Sequence, residues 1–233
     1  MKLISIISSV FILSVSISNA EPSVGNPLLN GDGFYSNCSE PAFGSFTKHG
    51  NTLVFRLKDK DIGGCSSDSF ARHSAPYWER IELKQGGYLE EGEYSFAFDL
   101  KVEGGYSDRT TIFQLHTYSS DCKSCKPFFM LKLNEDGTLS DNNNSYIDTK
   151  ITLGNFYNIR LDFAVVEKFQ LSKGGSSRVK VIINGKPVKT YEPWWDGQGS
   201  PHIKFGIYRP GNEDTPNPTA IHTVKNIVFK RLK

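Results

Sequence analysis

The chain has 233 residues, room for one large β domain, with 27 Lys and Arg against 25 Asp and Glu. That near balance argues against general nucleic-acid binding, which calls for a strongly basic face, but leaves a locally basic cleft possible. The 21 Gly, 16 Phe and 10 Tyr fit a strand-rich protein with many turns, because aromatic rings pack well on pleated sheets and glycine serves the turns.

Residues 1–20 read as a secretory signal: Lys2 supplies the positive end, an apolar run from Leu3 to Ile17 is interrupted only by serines, and Ser18-Asn19-Ala20 forms a small-residue cleavage site before Glu21. The run falls short of the roughly 20 apolar residues that span a bilayer, and no later stretch is long enough. A secreted or periplasmic protein without a membrane anchor is expected, with residues 21–233 as one domain. Cys38, Cys65, Cys122 and Cys125 are an even set in an exported chain, so disulfides are expected, paired Cys38–Cys65 and Cys122–Cys125. Cys122-Lys123-Ser124-Cys125 also has zinc-ligand spacing, but a structural site usually brings a second closely spaced pair.

After the signal, segments of alternating or aromatic-rich character recur at 52–57, 80–84, 92–102, 110–117, 128–133, 156–166, 178–183, 202–208 and 222–231. Helical periodicity, internal repeats and heptads are not evident. Glycine-rich turn signals punctuate these segments, among them Gly63-Gly64, Gly86-Gly87 and Gly104-Gly105. Asn184-Gly185 predicts a tight type I′ hairpin, and Asn134 to Gly137 a hairpin with a longer loop. Many short strands so punctuated predict an all-β, two-sheet sandwich or jelly roll.

Three of these strands carry unusual chemistry. Side chains alternate between strand faces, so Arg80, Glu82 and Lys84 share a face, as do Gln114 with His116, and Lys204 with Tyr208, while the intervening Ile, Leu and Phe positions face a core. A solvent-facing sheet normally carries Thr, Ser, Lys and Glu. Arg, Gln, His, Lys and Tyr are instead groups that hold an anion and move a proton.

An R-x-E-L strand, a Q-x-H strand and a late K-x-G-x-Y strand, in that order, resemble the β-jelly-roll polysaccharide lyases, including the alginate lyases of polysaccharide lyase family seven. Lys204-Phe205-Gly206-Ile207-Tyr208-Arg209 is more similar to the heparin lyase I and glucuronan lyase branches. The resemblance covers roughly residues 70 to 230 and implies a single jelly roll with a concave substrate groove. It further implies β-elimination: a proton is taken from C5 beside a uronate carboxylate and the oxygen at C4 is expelled. Such a site must first neutralise the carboxylate. Arg80, with its fork of donors, and Gln114, with its amide, suit that task.

The resemblance implies Tyr208 as base and acid with His116 as partner. Cations near Tyr208 would favour its ionised form, while His116 titrates near neutrality without help, so either assignment is workable. Arg72-His73 resembles a position where glucuronan lyases carry a catalytic histidine. Lys204, Glu82, Lys84 and Arg209 are expected to line the groove for an anionic polysaccharide. No cofactor or catalytic metal is expected, since Asp59, Asp61 and Asn212-Glu213-Asp214 match no specific calcium loop. The chain is expected to act as a monomer.

Two other readings stand beside this one. A non-catalytic carbohydrate-binding module on the same sandwich would keep a basic groove but have no use for a paired Tyr and His. A jelly-roll glycoside hydrolase needs two carboxylates on the site face, and of Glu79, Glu82 and Asp99 only Glu82 is there. Arg80 with Glu82 could also be a plain ion pair. Trp194-Trp195 reads as core or as a sugar platform.

Overall fold

The computed structural model describes residues 34–36, 45–63, 65, 68, 77–118, 126–166, 177–193, 199–212 and 214–233. Arg72, His73, Cys38, Cys122, Cys125, Trp194, Trp195, Glu213 and the expected signal at 1–20 lie outside them. Fourteen strands and no helix form among the described residues. They are β1 (Phe34–Ser36), β2 (Ser45–His49), β3 (Thr52–Leu57), β4 (Trp78–Gln85), β5 (Gly92–Glu103), β6 (Thr110–Tyr118) and β7 (Phe129–Leu133), followed by β8 (Thr138–Ser140), β9 (Tyr146–Lys150), β10 (Phe156–Val165), β11 (Val179–Ile183), β12 (Lys186–Tyr191), β13 (Ser200–Pro210) and β14 (Ala220–Arg231).

Two seven-stranded antiparallel sheets result, ordered β1-β4-β13-β6-β7-β8-β9 and β12-β11-β10-β5-β14-β3-β2. All nine strands expected from alternation form, each within two residues of its expected ends. The additional ones are short or lie toward sheet edges, where few alternating positions mark them. Both hairpins form as well: Asn184 and Gly185 have φ of 50° and 76° between β11 and β12, and Gly137 closes the β7–β8 turn at φ 83°, its N–H donating to the Asn134 carbonyl.

The core between the sheets is aromatic at its centre. Phe96 of β5 touches Phe98, Phe113, Phe205 and Phe229, with ring centroids 5.4–6.2 Å apart. Phe113 and Phe205 come from β6 and β13, on the strand face opposite Gln114 and Lys204. The alternation that seats these rings inside therefore presents the polar residues on the other face of the first sheet.

That face is ordered by register. In the β4–β13 pair Arg80 lies opposite Tyr208 and Lys84 opposite Lys204. In the β13–β6 pair Lys204 lies opposite Gln114 and His202 opposite His116. The β13–β6 register shifts between Phe205 and Tyr208, a bulge of the kind that re-aims side chains beside sites. Gly206 sits in it at φ 145°, and a Cβ there would stand 2.4 Å from the Ile81 carbonyl oxygen. Only glycine fits that approach.

Candidate active site

The polar face of β4, β13 and β6 is largely buried. Gln114, Glu82, Arg80 and Lys204 are buried, as is His202, while Tyr208 and His116 are half-buried. Burying so many polar groups demands partners for them, and the structure supplies a continuous chain of contacts. Gln114 Nε2 donates to Glu82 Oε1 at 2.6 Å. Arg80 Nη1 donates to Glu82 Oε2 at 2.7 Å. The other edge of the guanidinium grips Asp68, Nε to Oδ2 at 3.0 Å and Nη2 to Oδ1 at 2.7 Å. Arg80 also lies under the ring of Tyr208, its Cζ 3.9 Å from the centroid, and Trp78 stacks on Tyr208 at 4.7 Å.

These contacts correct the expected role of Arg80. Its bidentate fork is engaged by Asp68, so it anchors the site and underlies Tyr208 rather than presenting that fork to a substrate carboxylate. Glu82 joins Arg80 to Gln114, with one carboxylate oxygen engaged by each. Gln114 keeps a second amide hydrogen beyond its bond to Glu82. Arg80, Lys84 and Lys204 against Asp68 and Glu82 leave the cluster with one net positive charge.

Burial governs the protonation states here. It pushes the Tyr208 hydroxyl well above its ordinary pKa, and Arg80 opposes this less than burial, Asp68 and Glu82 promote it. Arg80 does favour the ionised phenol, as the sequence suggests, but desolvation outweighs it and the net shift is upward. His116 is held down to about 2, first by burial and then by Lys204 and His202 beside it. Its Nδ1 lies 2.6 Å from the Thr117 carbonyl oxygen, which fixes Nδ1 as the protonated nitrogen of the neutral ring and leaves Nε2 with the lone pair. Lys204 drops to about 8, burial being the largest cause, with Glu82 opposing and Arg80 and Lys84 assisting.

Arg209 is corrected outright. As the neighbour of Tyr208 it takes the opposite strand face, fully buried, with Nε donating to Glu79 Oε2 at 2.5 Å and Nη1 to Ser107 Oγ and the Pro218 carbonyl. It braces the sandwich and cannot touch a substrate on the site face. Lys84 is half-buried on the same face, with Nζ 5.4 Å from the Tyr118 ring.

Three side chains of the cluster escape a reading of the sequence. Trp78 and His202 lie two positions from Arg80 and Lys204 on the same strand faces, so period-two counting carried one step further reaches both. Asp68 has no such signal, as it arrives from a loop. Gly63 makes room for it, since a Cβ there would come 2.2 Å from Asp68 Oδ2. Cys65, which is disulfide-bonded, donates its N–H to the same oxygen at 3.1 Å.

Among the described residues no group of three His, Cys, Asp or Glu side chains gathers to hold a metal ion. Asp59 instead accepts from the Asn217 N–H, Asp61 from the Lys58 N–H, and Asn212 caps a turn by accepting from the N–H groups of Asp214 and Thr215.

The chain superposes on an endo-β-1,4-glucuronan lyase from the fungus Trichoderma reesei with a TM-score of 0.60 at 12% identity, covering 87% of this chain and 92% of that one. An alginate lyase of polysaccharide lyase family 7 gives 0.56 at 18% identity, with 82% and 83% covered. The fold is that of the β-jelly-roll polysaccharide lyases. A sialidase also matches, with a TM-score of 0.57 at 13% identity over 86% of this chain, but the chain spans 17% of that protein's length. No protein-family model matches the sequence, and no curated protein matches it.

Proposed function

We propose that the protein is an exported polysaccharide lyase that cleaves a uronate-containing polysaccharide by β-elimination. The observation that carries this is the pairing of a proton-holding Tyr208 and a neutral His116 on one sheet face, with Lys204 and Gln114 between them in register. A binding module has no need of such a pair.

In this reading the uronate carboxylate meets the Lys204 ammonium and the second amide hydrogen of Gln114. Those contacts strengthen as enolate charge develops, which is what lowers the barrier. Along β13, His202, which lies opposite His116, precedes Lys204, and Tyr208 follows it past the bulge. A sugar ring lying over Lys204 and Gln114 therefore has the histidine toward one side and the tyrosine toward the other. His116 Nε2 takes the C5 proton. The bound carboxylate offsets the repulsion from Lys204 and so raises the basicity of the ring. The electrons of the C5–H bond form the C4–C5 double bond, the C4–O bond breaks, and the Tyr208 hydroxyl gives its proton to the leaving oxygen. Solvent then returns the proton from His116 to Tyr208.

The test is a panel of glucuronan, alginate, heparin-like and capsular uronate polymers incubated with the protein while the ultraviolet absorbance of the unsaturated product is followed. A signal on any of them supports the lyase. Binding without any unsaturated product would favour the carbohydrate-binding module.

A further inference from the structure

Beyond the His116 end of this polar face lies an aromatic pair with no part in the chemistry above. Tyr118 follows His116 by two positions on the same face of β6, and Tyr88 comes from the link between β4 and β5. Each is 51% exposed. Their rings are parallel within 4°, with centroids 6.4 Å apart. The pair is held in place: the Leu89 N–H donates to the Pro201 carbonyl at 2.7 Å, pinning the link to β13, and His202 meets Tyr88 edge-on at 6.1 Å. Lys84 Nζ stands 5.4 Å from the Tyr118 ring. Among the described residues the buried His202 Nε2 has no hydrogen-bond partner, while its Nδ1 faces the Ser200 carbonyl.

We propose that Tyr88, Tyr118 and Lys84 form a distal subsite that takes a uronate residue of the polysaccharide a few sugar rings from the bond being cleaved; this rests on the lyase reading. Four residues of β6 separate Tyr118 from Gln114, about 13 Å at the usual strand rise, so the subsite lies beyond the reacting ring but within reach of the same chain. A pyranose offers a C–H face to an aromatic ring, and the carboxylate it carries pairs with an ammonium beside that ring. Two exposed tyrosines held rigid supply such a face at little cost in ordering. A neutral sugar would gain the stacking but nothing from Lys84, so the class of ligand is an acidic sugar.

The experiment compares wild type with Tyr88→Ala, Tyr118→Ala, the double variant and Tyr118→Phe on size-fractionated oligomers of whichever uronate polymer is cleaved, recording kcat and KM against oligomer length, with thermal unfolding midpoints as the check on folding. The expected result is a double variant whose kcat/KM falls about tenfold on long oligomers, through KM, with the loss vanishing on the shortest cleaved ones, while Tyr118→Phe behaves as wild type. A loss equal at every length, or no loss, overturns the subsite and leaves the lyase standing. Should wild type cleave none of the polymers, calorimetric binding of the same polymers decides: weakening in the double variant supports the subsite, and unchanged or absent binding overturns it.

Discussion

Asp68 grips the Arg80 guanidinium side-on, with both of its carboxylate oxygens engaged and both residues buried. The guanidinium so fixed is the plane on which the Tyr208 ring rests. Asp68 therefore orients Tyr208 through the arginine that lies between them.

Asp68→Asn is expected to lower stability, because it takes one of two buried carboxylates from the Arg80 guanidinium and leaves Glu82 as its remaining counter-charge, at a cost below the about 3–5 kcal/mol of a fully uncompensated buried charge. Urea unfolding measures this. Arg80→Lys is expected to lose activity as well, since an ammonium cannot make the two-pronged contact. An Asp68→Asn variant as stable as wild type would remove Asp68 from its anchoring role.

Tyr208→Phe removes the hydroxyl but keeps the ring between Trp78 and Arg80. Turnover on a cleaved polymer is expected to fall a hundredfold or more, since general acid–base groups contribute about 10² to 10⁴, while the unfolding midpoint stays close to wild type. Wild-type turnover in this variant would exclude Tyr208 from proton transfer.

The strands and their faces are legible in the sequence because alternation is a local signal: the same period that marks Phe113 and Phe205 as core marks Gln114 and Lys204 as site. What alternation cannot reveal is a partner from outside the strands. Arg80 can be seen to pair with Glu82 in its own strand, as it does, but its second carboxylate, Asp68, comes from a loop with no periodicity. Arg209 shows the converse, where adjacency to Tyr208 in sequence suggests the groove although one position along a strand inverts the face. The charge state of Tyr208 is misread for a different reason: neighbouring cations can be seen in a sequence and desolvation cannot.

Arg209→Ala tests that inversion. The variant strands the Glu79 carboxylate in the interior beside Asn217, and the expected cost is about 3–5 kcal/mol, seen as a large fall in urea midpoint. Any fraction that folds is expected to keep the wild-type KM. A raised KM with undiminished stability would return Arg209 to the substrate.

Cys65 is expected to pair with Cys38, and Cys122 with Cys125. Peptide mapping without reduction is the check, and a Cys65–Cys122 or Cys65–Cys125 linkage would overturn the pairing. Because the Cys65 N–H holds Asp68 Oδ2, reduction is also expected to lower activity along with stability.

Lys204 gives the site its pH dependence. Its folded pKa of about 8 lies below the ordinary lysine value of 10.5, so the native state holds this proton less tightly than the unfolded chain. Between those two values the unfolded state binds more protons, and the Lys204 contribution to stability rises with pH there; below about pH 8 the protein carries the full cost of a buried ammonium. Activity runs the other way. If the ammonium neutralises the substrate carboxylate, kcat/KM is expected to fall as pH rises through about 8, before an ordinary lysine would deprotonate. Lys204→Met separates the two effects: it is expected to raise the unfolding midpoint at about pH 6 to 7 while lowering kcat/KM at least about tenfold and abolishing the alkaline limb near pH 8. A profile of the same shape in wild type and variant would assign that limb to another group and leave Lys204 as a structural cation.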